Sequence, residues 1–296
     1  MRSILFVPGD SARKQEKSLQ SGSDVLVLDL EDSVALREKP MARSMTLAFL
    51  QQHAPASTRP SLYVRVNALG SGLADEDLTT VMPGKPDGIV APKVVGGKDL
   101  AEFSARLSVH EARNGIPLGS TRILPVVTET AAAVLALPTI PGSTERLSGL
   151  SWGGEDLAAD IGAEVNHDAA GAYTSTYVIA RSMALLTAVA SGVAPIETAF
   201  VNYRDLDAFA ADCVTARRDG FTGRIAIHPS QVNVINQVFT PSAEAIKRAR
   251  MIVDAFAANP GMGVVGIDGE MIEMPHLRQA ERILQRYDAI LQMSRG

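Results

Sequence analysis

The sequence is short of cysteine, of long apolar runs and of net positive charge, and each shortage removes a class of function. Its one cysteine, Cys213, excludes an intramolecular disulfide and a thiolate-rich metal site. No apolar run approaches the roughly 18 residues of a membrane span. The opening MRSILFVPGDSARK breaks at Pro8-Gly9 after a short apolar stretch, so it reads as part of the fold and not as a signal peptide. A net charge of −5 disfavours general nucleic-acid binding and leaves room only for a local basic pocket. What remains is 296 residues, 46% apolar and 21% charged, a globular composition long enough for one large α/β domain or two smaller ones. The expected setting is the cytoplasm.

Short apolar runs alternate with helical stretches along the chain. Candidate strands are Ser3–Val7, Asp24–Asp29, Ser61–Asn67, Gly88–Pro92, Arg122–Val127, Leu147–Trp152, Ala199–Val201 and Gly223–Ile227. Several are continuous rather than alternating (VLVLDL, LYVRV, ILPVV), the pattern of strands buried on both faces of a parallel sheet. Met41, Met45, Ala48 and Phe49, spaced i, i+4, i+7 and i+8, predict one apolar helix face, with Pro40 in the first turn. Ala170 to Val193 and Leu206 to Arg218 read as further helices. This rhythm predicts a TIM (β/α)₈ barrel over residues 1–239. A doubly wound sheet would place G-x-G-x-x-G after its first strand, and PGDSARK does not match it. Residues 240–296 form a C-terminal helical extension, with Thr240-Pro241 opening one helix and a second running from Leu277 to about Met293. Leu277, Ile283, Leu284, Tyr287 and Leu291 give that second helix its apolar stripe. The extension is expected to pack on the barrel or reach a neighbouring subunit.

Functional groups of a barrel sit where strands end and βα loops begin. Strand two ends in Asp29-Leu30-Glu31-Asp32, strand three carries Arg65 and Asn67, and strand four ends at Pro92-Lys93. Strand five runs into Thr128-Glu129-Thr130, strand six into Gly153-Gly154-Glu155-Asp156, and strand eight ends at His228-Pro229. Crowded carboxylates repel, and burying them is costly unless a cation pairs them. An all-oxygen set with few protein ligands suits Mg²⁺, with Mn²⁺ as the alternative ion, and the lack of a His pair or thiolates argues against Zn²⁺. Glu129 and Asp156 are the favoured ligands. Arg65, in an apolar strand, needs a carboxylate partner from the protein or from a substrate. Each acid also has a plainer reading as a helix cap or solvated loop residue. Trp152 and Cys213 read as core packing, and His228 as a structural histidine. Arg13, Lys14 and Lys17 read as a solvated basic helix face that could also meet a phosphorylated ligand.

Taken together these segments resemble the HpcH/HpaI aldolase and citrate lyase β-subunit superfamily, in its CitE-like branch. The resemblance runs nearly end to end: LFVPGDSARK at 5–14, DVLVLDLEDSV at 24–34, VRVN at 64–67, GIVAPKV at 88–94, VVTETAAAV at 126–134, GLSWGGEDLAADIG at 149–162, GRIAIHPSQV at 223–232 and DGEMIEMPHLRQAERIL at 268–284. It implies a TIM barrel that binds Mg²⁺ and assembles as a homotrimer or hexamer. It also implies cleavage or formation of a malyl-, citramalyl- or citryl-like 3-hydroxyacyl thioester, from a 2-oxo acid and an acetyl thioester carried by CoA or a carrier protein. By the same resemblance Glu129 and Asp156 hold the metal and Arg65 binds the oxo-acid end. Gly154, Glu155 and Asp156 border the substrate at a helix start that suits a carboxylate. The chain departs from the pattern at MIE, where Glu273 stands in place of the usual aspartate, a base supplied to a neighbouring subunit's site. The extra methylene adds about 1.5 Å of reach, and a misplacement of that size can cost on the order of 10²-fold in rate. Glu197 and Asn202 also stand where the family usually has aspartates. Two other readings compete: a metal-dependent aldolase on free 2-oxo acids, and a metabolite-binding paralogue with weak catalysis.

Overall fold

The computed structural model describes residues 1–53, 59–169 and 171–295, with side chains as far as residue 292. Among them, strands β1 (Ser3–Pro8), β2 (Val25–Asp29), β3 (Ser61–Arg65), β4 (Gly88–Ala91), β5 (Arg122–Val127), β6 (Gly149–Trp152), β7 (Ala194–Glu197) and β8 (Gly223–Ala226) pair parallel in sequence order. The circle closes where Ser3, Ile4 and Leu5 of β1 pair with Arg224, Ile225 and Ala226 of β8. Around them run α1 (Ala12–Ser18), α2 (Lys39–Gln52), α3 (Ala74–Val81), α4 (Gly97–Asn114), α5 (Ala131–Ala136), α6 (Glu155–Ile161), α7 (Ser175–Ala190), α8 (Leu206–Asp219) and α9 (Pro229–Phe239). This is the expected TIM barrel. Every residue of β2 is buried, as befits a strand with apolar neighbours on both faces. Ile4, Val25, Val27, Val90, Leu124 and Ile225 belong to one cluster drawn from five strands. Val25 with Val27, two apart on one strand, shows that the cluster takes the inward face.

The chain divides into two compact units, Met1–Asn236 and Gln237 onward. The second contains α10 (Ala243–Ala258), a hairpin of β9 (Val264–Ile267) and β10 (Glu270–Glu273), and α11 (Met274–Arg295). It has an apolar cluster of its own, in which Ile252 and Phe256 of α10 meet Val265, Ile267 and Ile272 of the hairpin and Ala280 of α11. Among the described residues no helix is long and apolar enough to cross a membrane.

Four sequence readings change. The seventh strand is Ala194–Glu197, and Ala199–Val201 is the loop after it, with Val201 63% exposed. The strand escapes an apolar-run search because APIE carries a proline and an acid, and Glu197 is buried only through partners from other elements. In α2, Met41 is exposed and Met45 half-buried, while Ala42, Arg43, Thr46, Phe49 and Leu50 face inward. The buried Arg43–Asp77 pair, Nε to Oδ1 at 2.6 Å, sets that rotation, so a polar contact overrides the apolar spacing. Helix α7 begins at Ser175 after Thr174, and the expected start at Ala170 lies outside the described residues. Helix α10 is capped by Ser242, whose Oγ accepts from the Ala245 N–H at 3.1 Å, rather than by Thr240.

Candidate functional site

Strand ends of the barrel surround a cavity of about 310 Å³. Arg65, Glu129, Gly154, Glu155 and Asp156 line it together, so five of the six expected site residues share one space. Its remaining wall is largely apolar and includes Phe6, Val126, Trp152 and Ile225. Glu273 is not among the lining residues. It ends β10 in the C-terminal unit, exposed, with its backbone N–H donating to His276 Nδ1 at 3.0 Å.

On the β2–β3 side, charge is matched by charge. Asp29 ends β2 and Arg65 ends β3, directly paired in register. The guanidinium grips Asp29 with two parallel bonds, Nε to Oδ1 at 2.6 Å and Nη2 to Oδ2 at 2.7 Å. Its Nη1 meets Glu31 Oε2 at 2.8 Å, and its face lies 5.1 Å from the centre of the Phe6 ring. Asp29 also accepts the Glu31 N–H at 2.9 Å. Burial alone would raise the Asp29 carboxyl, but the Arg65 bonds and charge carry it below the usual carboxylate range. The turn that presents these acids packs closely: a Cβ on Gly9 would stand 2.6 Å from the Asp29 carbonyl oxygen. Beneath the turn, the Lys39 ammonium donates to the Leu30 carbonyl at 2.7 Å, the Glu31 carbonyl at 2.9 Å and Asn67 Oδ1 at 2.8 Å. Asn67 is held in turn by Asp77. Lys39 and Asp77 are absent from the sequence reading, because their burial depends on partners from other elements.

On the β5–β6 side the balance is different. Glu129 is 4% exposed. Among the described residues a single hydrogen bond reaches its carboxylate, from the Lys93 backbone N–H to Oε2. Burial pushes the Glu129 carboxyl up to about 8, and the nearby Asp156 and Glu31 charges push the same way. Gly153 is needed here, because a Cβ would stand 2.7 Å from Glu129 Cγ. Thr128, with φ of 70°, bonds Gly153 through its hydroxyl, to the carbonyl at 3.0 Å and from the N–H at 3.2 Å. That latch fixes the Glu129 turn to the turn that carries Asp156. Lys93 joins the two sides. Its own φ is 53°, and its ammonium lies 2.5 Å from Glu31 Oε1, 3.3 Å from Asp32 Oδ2 and 3.7 Å from Asp156 Oδ1.

Among the described residues no three His, Cys, Asp or Glu side chains form a ready-made cation cage. Glu129 and Asp156 nevertheless fit a hard divalent ion. Both are oxygen donors on one cavity, and Glu129 is a buried acid with one N–H for its two oxygens. Two protein ligands leave the other positions of an octahedron to water and substrate.

Three further positions singled out in the sequence have these surroundings. Cys213 is buried, its thiol pushed up to about 11 by burial, with Sγ 3.7 Å from Arg224 Nη1. His228 is exposed, bonded through Nδ1 to Ser230 and stacked on Tyr203 at 4.7 Å. Arg13, Lys14 and Lys17 are exposed on α1. Trp152 is more than packing, since its indole N–H donates to Glu197 at 2.5 Å beside the cavity.

Residues 2–229 match the model of the HpcH/HpaI aldolase/citrate lyase family, and the chain belongs to that family. It is similar to the mitochondrial citramalyl-CoA lyase of Rattus norvegicus, 33% identical over 295 residues that cover 96% of this chain and 85% of the relative. It is also similar to citrate lyase subunit beta of Escherichia coli strain K12, 31% identical over 287 residues that cover 96% of this chain and 92% of that one. Among solved structures it is similar to the protein CitE of Mycobacterium tuberculosis in complex with magnesium, acetoacetate and coenzyme A. The TM-score is 0.76 at 28% identity, covering 97% of this chain and 98% of the other.

Proposed function

We propose that this family member is a Mg²⁺-dependent carbon–carbon lyase that cleaves or forms a 3-hydroxyacyl thioester, its halves being a 2-oxo acid and an acetyl thioester. The observation that carries the reading is the meeting of a desolvated Glu129, Asp156 and Arg65 on one cavity at the strand ends. Glu129 and Asp156 hold the ion. When bound, Mg²⁺ supplies Lewis-acid polarisation of the substrate oxygens.

Arg65 supplies a fixed positive charge beside the oxo-acid end. Two of its five guanidinium N–H groups are donated to Asp29 and Nη1 pairs with Glu31 by charge, so donors remain for a substrate oxygen. Those contacts also fix its plane, so little reorganisation is needed as charge develops. Gly154, Glu155 and Asp156 border the bound acid. For cleavage, a base takes the proton of the substrate's hydroxyl. The C–C bond breaks, the hydroxyl carbon becomes the oxo carbon, and the bonding pair passes to the thioester α-carbon as an enolate, which then takes a proton. Condensation reverses these steps. Glu273 is the base in this reading. In this reading a neighbouring copy delivers it, in a cytoplasmic homotrimer or hexamer whose residues 240–296 reach across.

The experiment mixes acetyl-CoA with glyoxylate, pyruvate or oxaloacetate and Mg²⁺, and follows the product by mass spectrometry. A product whose formation stops with chelator is the expected result, and no product with any of the three sinks the lyase reading. Complementation tests the shared site. Glu129→Ala and Glu273→Gln should each be inactive, and co-refolded mixtures should regain activity. Mixtures as inactive as their parents would place the base elsewhere.

A further inference from the structure

Glu197 takes no part in the chemistry above, yet four contacts converge on its carboxylate. Trp152 Nε1 donates at 2.5 Å, Arg181 Nε at 2.7 Å and the Thr198 N–H at 2.9 Å, while Arg181 Nη2 lies at 2.7 Å. The residue ends β7 and is 2% exposed. Arg181 is itself anchored, by Asp219 at 2.8 Å and by the face of Phe221 at 4.6 Å. An acid and its counter-ion this deep are rarely the most stable way to fill space, because an apolar pair of similar volume avoids the desolvation. What the carboxylate gains over an apolar residue is orientation, since a charge-assisted bond to the indole N–H fixes the plane of Trp152.

That plane matters because of what rests on it. Trp152 is the one tryptophan of the sequence, fully buried and part of the cavity wall. Its six-membered ring lies against Gly154: a Cβ there would stand 3.3 Å from Cζ3 and 3.8 Å from Cη2. Tyr173 meets the same indole edge-on at 5.2 Å. Gly154 is the N-cap of α6, and the next two residues are Glu155 and Asp156.

We propose that Glu197 is a positioning residue that acts through the Trp152 indole, fixing the Gly153–Asp156 turn and with it the Asp156 carboxylate. The inference rests on the reading of Asp156 as a cation ligand. It predicts one continuous path, Glu197 to Trp152 to Gly154 to Asp156, so damage at either of the first two links has the same result.

The test compares wild type, Glu197→Gln, Trp152→Phe and the double variant in the full chain. Mn²⁺ affinity is read by electron paramagnetic resonance, alongside the unfolding midpoint and, where Trp152 is present, its emission. Trp152→Phe loses both the N–H and the outer ring that rests on Gly154, so it breaks the second link directly and carries the test if Glu197→Gln fails to fold. Each single variant should weaken Mn²⁺ binding about tenfold, the scale of an outer-shell change. The double variant should be no weaker than either single one, and emission in Glu197→Gln should shift as the indole bond is lost. A double variant whose losses multiply would overturn the shared path. So would a lowered unfolding midpoint with unchanged Mn²⁺ affinity, the result of a purely structural ion pair. Wild type that binds no Mn²⁺ removes the cation reading and this inference together, whereas normal wild-type binding with unaffected variants removes this inference alone.

Discussion

Two buried acids of the barrel mouth, Asp29 and Glu129, stand in opposite circumstances. Asp29 accepts two guanidinium N–H groups and two backbone N–H groups, and its carboxyl lies below the ordinary range. Glu129 is equally buried, accepts one backbone N–H, and is pushed up to about 8. The first is an internal ion pair that is already complete. The second is a buried acid that the metal-free fold keeps largely protonated, so an arriving cation would take the place of its proton. Proximity of carboxylates is therefore a poor guide to a metal site, and the count of donors already committed to each oxygen is a better one.

The contrast breaks most visibly with neutral isosteres. Glu129→Gln or Asp156→Ala should take Mg²⁺-dependent turnover to background and remove Mn²⁺ binding, with the unfolding midpoint of Glu129→Gln close to wild type. Near pH 7 a carboxyl with a pKa of about 8 is mostly protonated already, so the amide replaces a neutral group. Asp29→Asn should do the reverse in stability. It leaves the Arg65 charge facing an amide, and breaking a buried pair costs about 3–5 kcal/mol. Denaturant unfolding of the two variants decides the matter, and equal midpoints would abolish the distinction.

Acidity sharpens it further. The folded-state pKa of Glu129 is raised from 4.5 to about 8, so between those values the unfolded chain gives up a proton that the metal-free fold keeps. Metal-free stability from this group is fully present below about pH 4.5 and falls as pH rises toward 8. Mn²⁺ needs the ionised form, so its affinity should climb through that window, with proton release measurable by calorimetry in two buffers. Asp29, whose pKa is lowered, contributes with the opposite sign: its stabilisation is present above the unfolded carboxylate value and is lost as pH falls through the folded one.

The smallest expected effect lies at Lys93, whose backbone N–H reaches Glu129 and whose ammonium reaches Glu31. Its φ of 53° favours glycine, so Lys93→Gly should keep the N–H on Glu129 while losing the ammonium. Lys93→Ala loses the ammonium and keeps the strain, and should be less stable than Lys93→Gly by about 1 kcal/mol. Identical unfolding curves would show that the backbone there is not strained.

The barrel was legible because a parallel strand covered on both faces must be apolar throughout, and VLVLD and ILPVV say so without context. The strand APIE was illegible for the converse reason, as its acid is acceptable only with Trp152 and Arg181 in place. At the site, residue types at strand ends picked out Arg65, Glu129 and Asp156. They could not separate Asp29 from Glu129, since that depends on a guanidinium 36 residues from Asp29. The ammonium on Glu31 comes from 62 residues away. The rotation of α2 was hidden likewise, because nothing in its spacing marks Arg43 as bound for Asp77.

The small apolar cluster of the C-terminal unit, where Phe256 and Ile252 meet the hairpin of Glu273, has a consequence for descent. A segment with its own interior can accumulate substitutions under separate constraints. The acid proposed to handle a proton and the acids proposed to grip an ion are then inherited on pieces free to diverge at different rates. Swapping this segment between relatives is a direct way to ask whether substrate preference travels with the tail or stays with the barrel.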